Sequence, residues 1–336
     1  MPGLTGAHSG RKRHARLVAE ETYGAVPGGP SWSPIPYLGD GFKIEATSEP
    51  FEADTNYGGG IDSVVNIQHK QDVAGDLTTL LWPQILGALL DAALARDGND
   101  DLPSFAWQHY TPIETRQFVG CAARTLRLQV NRTEGADAQL TIGWLGQQES
   151  VVTGVTPGDF DYSGIDQRPF MGCDVAMIQV NGAESYDVDQ FTVNVDNVME
   201  AGPYWPKTNP AQRVIHHIEV GDRTISIDLT RMHRSAQFNA ARRAATTLSF
   251  YARFTHPLGH VFELRLPRLV VPGSSEDGTP SRVARETPRL LARGTVEGGD
   301  AIEYGVDLAA GGTTTVGGYM TTAAPATTAE PTTTGG

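Results

Sequence analysis

Along most of this chain apolar and polar residues alternate one by one, the period of a half-buried β-strand rather than that of a helix. Such strands are predicted at 42–47, 64–69, 126–130, 139–144, 176–180, 191–195, 214–220, 224–229, 247–254, 261–266 and 301–308. One stretch departs from the pattern. In VAGDLTTLLWPQILGALLDAALAR, Val73 to Arg96, a short strand (Gly75–Leu81) runs through Trp82 and Pro83 into a Leu- and Ala-rich helix. Pro83 suits a first helical turn, and Gly98 stands where such a helix would end. A second helix is predicted within Met232–Ala245, where Arg242 and Arg243 suit a helix C-terminus. No strand–helix–strand rhythm recurs. The expected fold is therefore mainly β, an antiparallel sandwich or barrel with one or two α-helices.

Proline and composition then divide the chain. Prolines at 27, 30, 34 and 36 forbid a helix through Glu21–Tyr37, so residues 1–40 read as an extended, flexible arm. Residues 41–310 read as the β-rich domain, and the Gly- and Asp-bearing loop near 145–170 could divide it into two lobes. Past Pro272 the segment Gly273–Pro288 is polar and turn-rich. Residues 311–336 carry one charge, Glu330, and almost nothing to bury, so a disordered tail is expected there.

Only 39% of the chain is hydrophobic, and its 38 glycines and 21 prolines favour many turns over long elements. No run approaches the ~20 apolar residues of a membrane span, and no apolar signal core follows the basic cluster at 11–16. The formal net charge of −13 argues against a general DNA-binding surface. Acid concentrates between Asp40 and Glu200, while most arginines fall at 11–16 and 213–293. Two oppositely charged regions are what a repeating head-to-tail contact needs; scattered solvated charge is the plainer alternative. Cys121 and Cys173 read as free thiols, with their pairing left open.

Candidate chemistry is thin. Asp97-Gly98-Asn99-Asp100-Asp101 spaces oxygens as calcium loops do, but the sixth-place glycine is missing and the twelfth position is Gln108. Asp159/Asp161 and Asp187/Asp189 read as polar faces of loops or strands. His216 and His217, adjacent in a predicted strand, would point to opposite faces and could not share a metal. His256 and His260 flank a predicted turn at Pro257 and Gly259, with no cysteine or carboxylate at ligand spacing. Gly58-Gly59-Gly60 lacks the Lys-Ser/Thr of a phosphate loop, and no G-x-S-x-G frame surrounds Ser63 or Ser163. Asn131-Arg132-Thr133 matches a glycosylation acceptor, relevant only to a secreted protein. No catalytic, cofactor-binding or metal residue is assigned, and no enzyme activity is expected.

The order of segments resembles the tail tube proteins of long-tailed bacteriophages. The likeness lies in the arm, the VAGD strand leading into a helix, QFTVNVDNVMEAGP at Gln190–Pro203, and IEVGDRTISIDL at Ile218–Leu229. The last reads as two strands joined at a Gly-Asp-Arg turn. The resemblance covers about residues 17–310 and implies barrel-like subunits that join into rings, usually hexameric. Those rings would stack into a hollow tube through which DNA leaves the capsid without specific binding. It implies a virion protein made in the host bacterial cytoplasm, with itself, a tape-measure protein and other tail proteins as partners, and no membrane. The Asp- and Glu-rich strands between 40 and 200 would line the channel. The arm, the Asn56–Gly60 loop and the 153–170 loop would make ring-to-ring contacts. A β-sandwich adhesin is the competing reading, with Trp107, Tyr110, Trp144, Tyr204 and Trp205 available to stack on sugars.

Overall fold

The computed structural model describes residues 13–52, 66–96, 101–132, 138–202, 204–206, 213–232, 237–277, 285–294, 300–309 and 313–314. The strands are β1 (His14–Ala19), β2 (Ser33–Ile35), β3 (Glu45–Glu52), β4 (Asn66–Leu80), β5 (Phe105–Tyr110), β6 (Thr115–Asn131), β7 (Gln139–Gly146), β8 (Gln148–Val152), β9 (Val175–Val180) and β10 (Ala183–Glu184). They continue with β11 (Val188–Ala201), β12 (Tyr204–Pro206), β13 (Arg213–Ile215), β14 (Ile218–Met232), β15 (Leu248–Thr255), β16 (Val261–Asp277), β17 (Arg285–Ala292), β18 (Glu303–Asp307) and β19 (Thr313–Thr314). Two helices, α1 (Pro83–Leu94) and α2 (Gln237–Ala244), complete the described set.

Antiparallel pairing runs without a break through β3, β4, β7, β6, β11, β14, β17, β16, β15, β9 and β10. β18 adds to the first half of β16. The path folds back so that its two inner faces meet. Phe191 on β11 lies 5.3 Å from Phe250 and 6.3 Å from Phe254 on β15, and Phe254 lies 5.1 Å from Phe262 on β16. These four rings are fully buried. At about 1.5–3 kcal/mol for each buried side chain, such positions dominate the stabilisation.

A second, smaller sheet orders β2, β1, β5, β6 and β8. β6 belongs to both sheets, and it turns where Gly120 adopts φ 65° and the β6–β7 register slips between Ala123 and Thr125. An added Cβ at Gly120 would meet Gln147 at 2.7 Å, so only glycine makes this bend.

α1 begins at Pro83, as predicted, and ends at Leu94; Gly98 lies outside the described residues. Nine of its twelve residues are buried. The VAGD signature acquires a physical cause here. Gly75 has φ 151°, and a Cβ there would sit 2.6 Å from the carbonyl carbon of Lys43 and 2.7 Å from Ile44 Cα. The segment before β3 crosses β4 too closely for any side chain.

Three readings are corrected. Gly221-Asp222-Arg223 is no turn: β14 runs straight through it, and a bulge opposite Val198 absorbs the irregularity. Gly273–Pro288 is not merely turn-rich, since β16 continues to Asp277 and β17 starts at Arg285, pairing with both β16 and β14. Residues 13–40 are laid on the body rather than left as a flexible arm. β1 pairs with β5 and β2, and Ala15, Leu17 and Ile35 are buried. The loop at 56–60, most of the acidic turn at 97–101 and nearly all of the 311–336 tail fall outside the described residues.

Candidate assembly surfaces

Three surfaces distinguish this body from a closed globule. The first is the outer face of β4, β7, β6, β11 and β14. One cross-strand row is Asp76, Gly143, Thr125, Asp196 and Thr224; the next is Thr78, Thr141, Arg127, Asn194 and Ser226; the third is Leu80, Gln139, Gln129, Thr192 and Asp228. The alternate residues, Leu77, Ile142, Leu126, Val195 and Ile225 among them, point into the core. Three carboxylates and one guanidinium are spread among hydroxyls and amides, with Leu80 the one large apolar member. Asn194 Nδ2 donates to Asp228 Oδ2 at 3.1 Å, and Thr78 and Thr141 hydroxyls lie 3.2 Å apart.

The second surface is a pair of ribbons. β7 stops at Gly146 and β6 turns away, but the flanking strands continue. Residues 66–72 of β4 pair with β3 alone among the described residues, a two-stranded extension of about 23 Å at ~3.3 Å per residue. Asn197–Ala201 of β11 likewise pair only with β14, and the β12–β13 pair extends this second ribbon. Shared register sends both ribbons from the same end of the sheet, and β13 lies against β4. The second ribbon is acidic, with Glu200, Glu219 and Asp222 exposed. Glu200 and Glu219 stand directly across from each other, an unfavourable like-charge pair.

The third surface joins the arm to the 153–170 loop. The Arg16 guanidinium donates to Gln108 Oε1 at 2.9 and 2.7 Å and to the Asp159 carbonyl at 2.7 Å. It lies 4.9 Å from the Trp32 ring centroid and 4.8 Å from that of Phe160, a double cation–π contact. His14 packs 5.4 Å from Phe160 and 5.8 Å from Tyr162. Further along, His109 stacks on Phe42 at 4.2 Å and its Nε2 lies 3.2 Å from the Tyr37 hydroxyl. Burial, then the charges of Arg13 and Arg116, push His109 down to about 4, and burial also lowers His14. Nearby, Ile113 is 81% and Val151 61% exposed, on the β5–β6 turn and on β8.

The chemical candidates take structural places. Asp159 accepts from Thr156 N at 2.6 Å and Asp161 from Ser163 N at 2.9 Å, so both fix loop turns. Val188, between Asp187 and Asp189, is buried at the start of β11. Gln108, the supposed twelfth calcium position, is buried in β5 and donates to Gln117 at 2.7 Å. His216 and His217 do not face apart, because they lie between β13 and β14 and their Nδ1 atoms are 3.2 Å from each other. Trp107 and Trp144 are buried against one another at 5.2 Å, which removes them as a sugar platform. Cys121 is buried and Cys173 exposed, both as free thiols.

His256 and His260 gain the carboxylate that sequence spacing lacked. Asp166, 94 positions from His260, accepts from its Nε2 at 2.8 Å, and the donor atoms of all three residues lie within 4.8 Å of one another. The hydrogen bonds nevertheless speak against a cation. Leu258 N donates to His256 Nδ1 at 3.2 Å and Ala309 N donates to His260 Nδ1 at 3.0 Å. Each Nε2 must therefore carry the proton, His256 toward the Arg168 carbonyl at 3.2 Å and His260 toward Asp166. A metal would need those same lone pairs.

Fold and surfaces define a class, an antiparallel β protein with a long polar sheet face and projecting ribbons. The chain belongs to the phage tail tube protein family, whose sequence model matches residues 10–310. It is accordingly a structural component of the virion and self-assembles into a tube. A comparison with curated proteins finds no match. No helix among the described residues is long and apolar enough to cross a membrane.

Proposed function

We propose that this chain is the repeating subunit of a phage tail tube, closing laterally into rings, hexameric by the family's usual number, that stack around a DNA channel. The observation that carries the reading is the pair of ribbons flanking one polar sheet face. Strand edges that pair on one side within a subunit can be completed by a neighbour, and a contact that repeats head to tail builds rings and tubes. The polar face of β4, β7, β6, β11 and β14 then lines the channel. Its hydroxyls and amides, with few carboxylates and no basic stripe, give passing DNA no counterion release to bind by. This lining is less acidic than the charge distribution along the chain suggests.

Residues 41–310 form the tube domain in this reading, the arm and the 153–170 loop meet the next ring, and 311–336 is a tail outside the wall. The subunit is made in the host bacterial cytoplasm, assembles with a tape-measure protein and other tail proteins, and performs no catalysis. Negative-stain electron microscopy across a concentration series, with mass by light scattering, tests it. Rings or hollow tubes of uniform diameter are expected. A strict monomer at high concentration, after prolonged incubation, would overturn it.

A further inference from the structure

Two buried histidines stand where five segments meet. His256 and His260 bracket the β15–β16 turn, and the His256 N–H donates to the His260 carbonyl at 2.8 Å. Their rings lie 5.4 Å apart. From the loop, Asp166 and the Arg168 carbonyl take the two Nε2 protons. From the first turn of α1, Gln84 donates to Asp166 Oδ2 at 2.5 Å. From the end of β18, Ala309 donates to His260 Nδ1. Phe170 meets His256 edge-on at 5.4 Å, while its own N–H donates to the Leu81 carbonyl at 2.9 Å. The other charged groups facing the pair are Arg168 and Asp174, joined at 2.7 Å.

We propose that this cluster is an acid-sensitive clasp, closed with both imidazoles neutral, that holds the 160–170 loop on the body and releases it on protonation. The argument is one of donors. In the neutral rings each Nδ1 accepts a backbone N–H and each Nε2 donates, so all four ring nitrogens are satisfied. A second proton on either ring must go to Nδ1, where it faces the N–H of Leu258 or Ala309. Two donors then point at each other in a buried place, and the hydrogen bond inverts into a repulsion. Asp166 attracts positive charge on the His260 ring, but it accepts at the opposite nitrogen and offers nothing to an Nδ1 proton, so the two donors at Ala309 still face each other.

Charge and burial agree with the donor geometry at His256. Burial is the largest influence and lowers its affinity for a proton; Asp174 and the Arg168 carbonyl oppose that, while His260 and the Arg168 side chain add to it. The sign follows. A histidine held below its ordinary value of ~6.5 contributes stability fully present above that pH, and the contribution fades as pH falls below it. The clasp is a property of the subunit and stands whether or not the subunit forms tubes.

Hydrogen–deuterium exchange on the full chain, from about pH 7.5 to about 4.5 and corrected for intrinsic rates, tests the clasp. The reporters are the amides of Ile165, Phe170, Gly259 and Ala309. Their protection is expected to fall at least about tenfold at the acid end, with the β11 amides changing less than about twofold. His256→Gln and His260→Gln each supply one donor and one acceptor at every pH, so each should flatten the response. Undiminished protection in acid, or the same loss in both variants, would overturn the clasp. Should the glutamine variants fail to fold, the ring resonances of the unaltered protein decide. Loss of protection must then follow the His256 titration, with a midpoint below ~6.5, and loss that follows another group refutes the proposal.

Discussion

α1 and the N-terminal arm are both laid on the strands of the body, and they are held there by opposite means. α1 presents an almost continuous apolar surface, with Leu86, Leu89, Leu90, Ala92 and Ala93 all buried. Its polar ties are few: Gln84 to Asp166 at 2.5 Å in the first turn, Tyr304 to Asp91 at 2.5 Å and Asn197 to the Ala93 carbonyl at 2.9 Å. The arm buries little beyond Ala15, Leu17 and Ile35, and depends on directed contacts through Arg16, His14, Tyr37 and His109. Area holds the first and chemistry the second. The apolar packing of the helix should thus be indifferent to conditions that the arm feels.

The largest effect lies on the helix side. Leu89→Ala removes a side chain 1% exposed in the main core and should cost about 2–5 kcal/mol. Urea unfolding monitored by circular dichroism measures it, and the loss should be the same at about pH 7.5 as at about pH 6. A loss that grows in acid would mean that the apolar packing of α1 depends on titrating groups, and the contrast between the two regions would fail.

Next comes the place where the segment that joins the arm to β3 crosses β4. Gly75→Ala puts a methyl group against the backbone of Lys43 and Ile44 at a φ that L-residues avoid, and about 2–4 kcal/mol is expected. The disturbance should concentrate at 38–44, whose N–H and carbonyl groups at Leu38, Gly41 and Lys43 pair with Thr78 and Asp76. Exchange of those amides, set against those of α1, locates it. Equal loosening of both would show that the crossing and the helix fold as one unit.

Part of this architecture is legible in the amino-acid sequence itself. The single-residue alternation at 126–130, 139–144 and 191–195 and the Pro83 start of α1 are local signals; they marked α1, most of β7 and the central parts of β6 and β11, though not the full length of the two long strands. Local signals misled where tertiary pairing overrode them. Gly221 and Asp222 look like a turn but sit in a strand secured by β11. The polar end of β16, Gly273–Asp277, and the start of β17 give little sign of strand, yet they pair with each other, and β17 pairs with β14 as well. The arm's docking depends on Arg16 reaching Gln108 and Asp159, 92 and 143 positions away, and no periodicity encodes that distance. Asp166 joined the histidines for the same reason. The ribbons were invisible because they arise where neighbouring strands stop.

Acid should separate the two regions more sharply. His109 is pushed down to about 4 and His14 is lowered, both chiefly by burial. Free histidine titrates near 6.5, so the unfolded or undocked arm binds more protons than the docked one between those values. Stability from this source is complete above about pH 6.5 and fades as pH falls toward about 4, a loss on the order of 1–3 kcal/mol. Tyr37 and Trp32 fluorescence against pH, compared with the far-ultraviolet signal of the fold, follows the arm. His109→Phe keeps the stack on Phe42 without a titrating nitrogen and should move the arm's midpoint to lower pH. An unmoved midpoint would pass the acid response to other groups.

The smallest effect falls on Arg16, and it asks whether direction or charge holds the loop. The guanidinium is planar. It forks onto one amide oxygen of Gln108, reaches the Asp159 carbonyl and lies close to both Trp32 and Phe160. Lysine keeps the charge but offers a compact ammonium that cannot make the fork and both ring contacts at once. Arg16→Lys should therefore cost nearly as much as Arg16→Ala, about 1 kcal/mol in either case for a partly exposed contact. Both variants should raise exchange at 157–163 while leaving α1 unchanged. If lysine restored most of the loss, simple attraction to the nearby acids would account for the contact. The arm would then be held by charge, sensitive to salt, instead of by the fit of one flat cation among four partners.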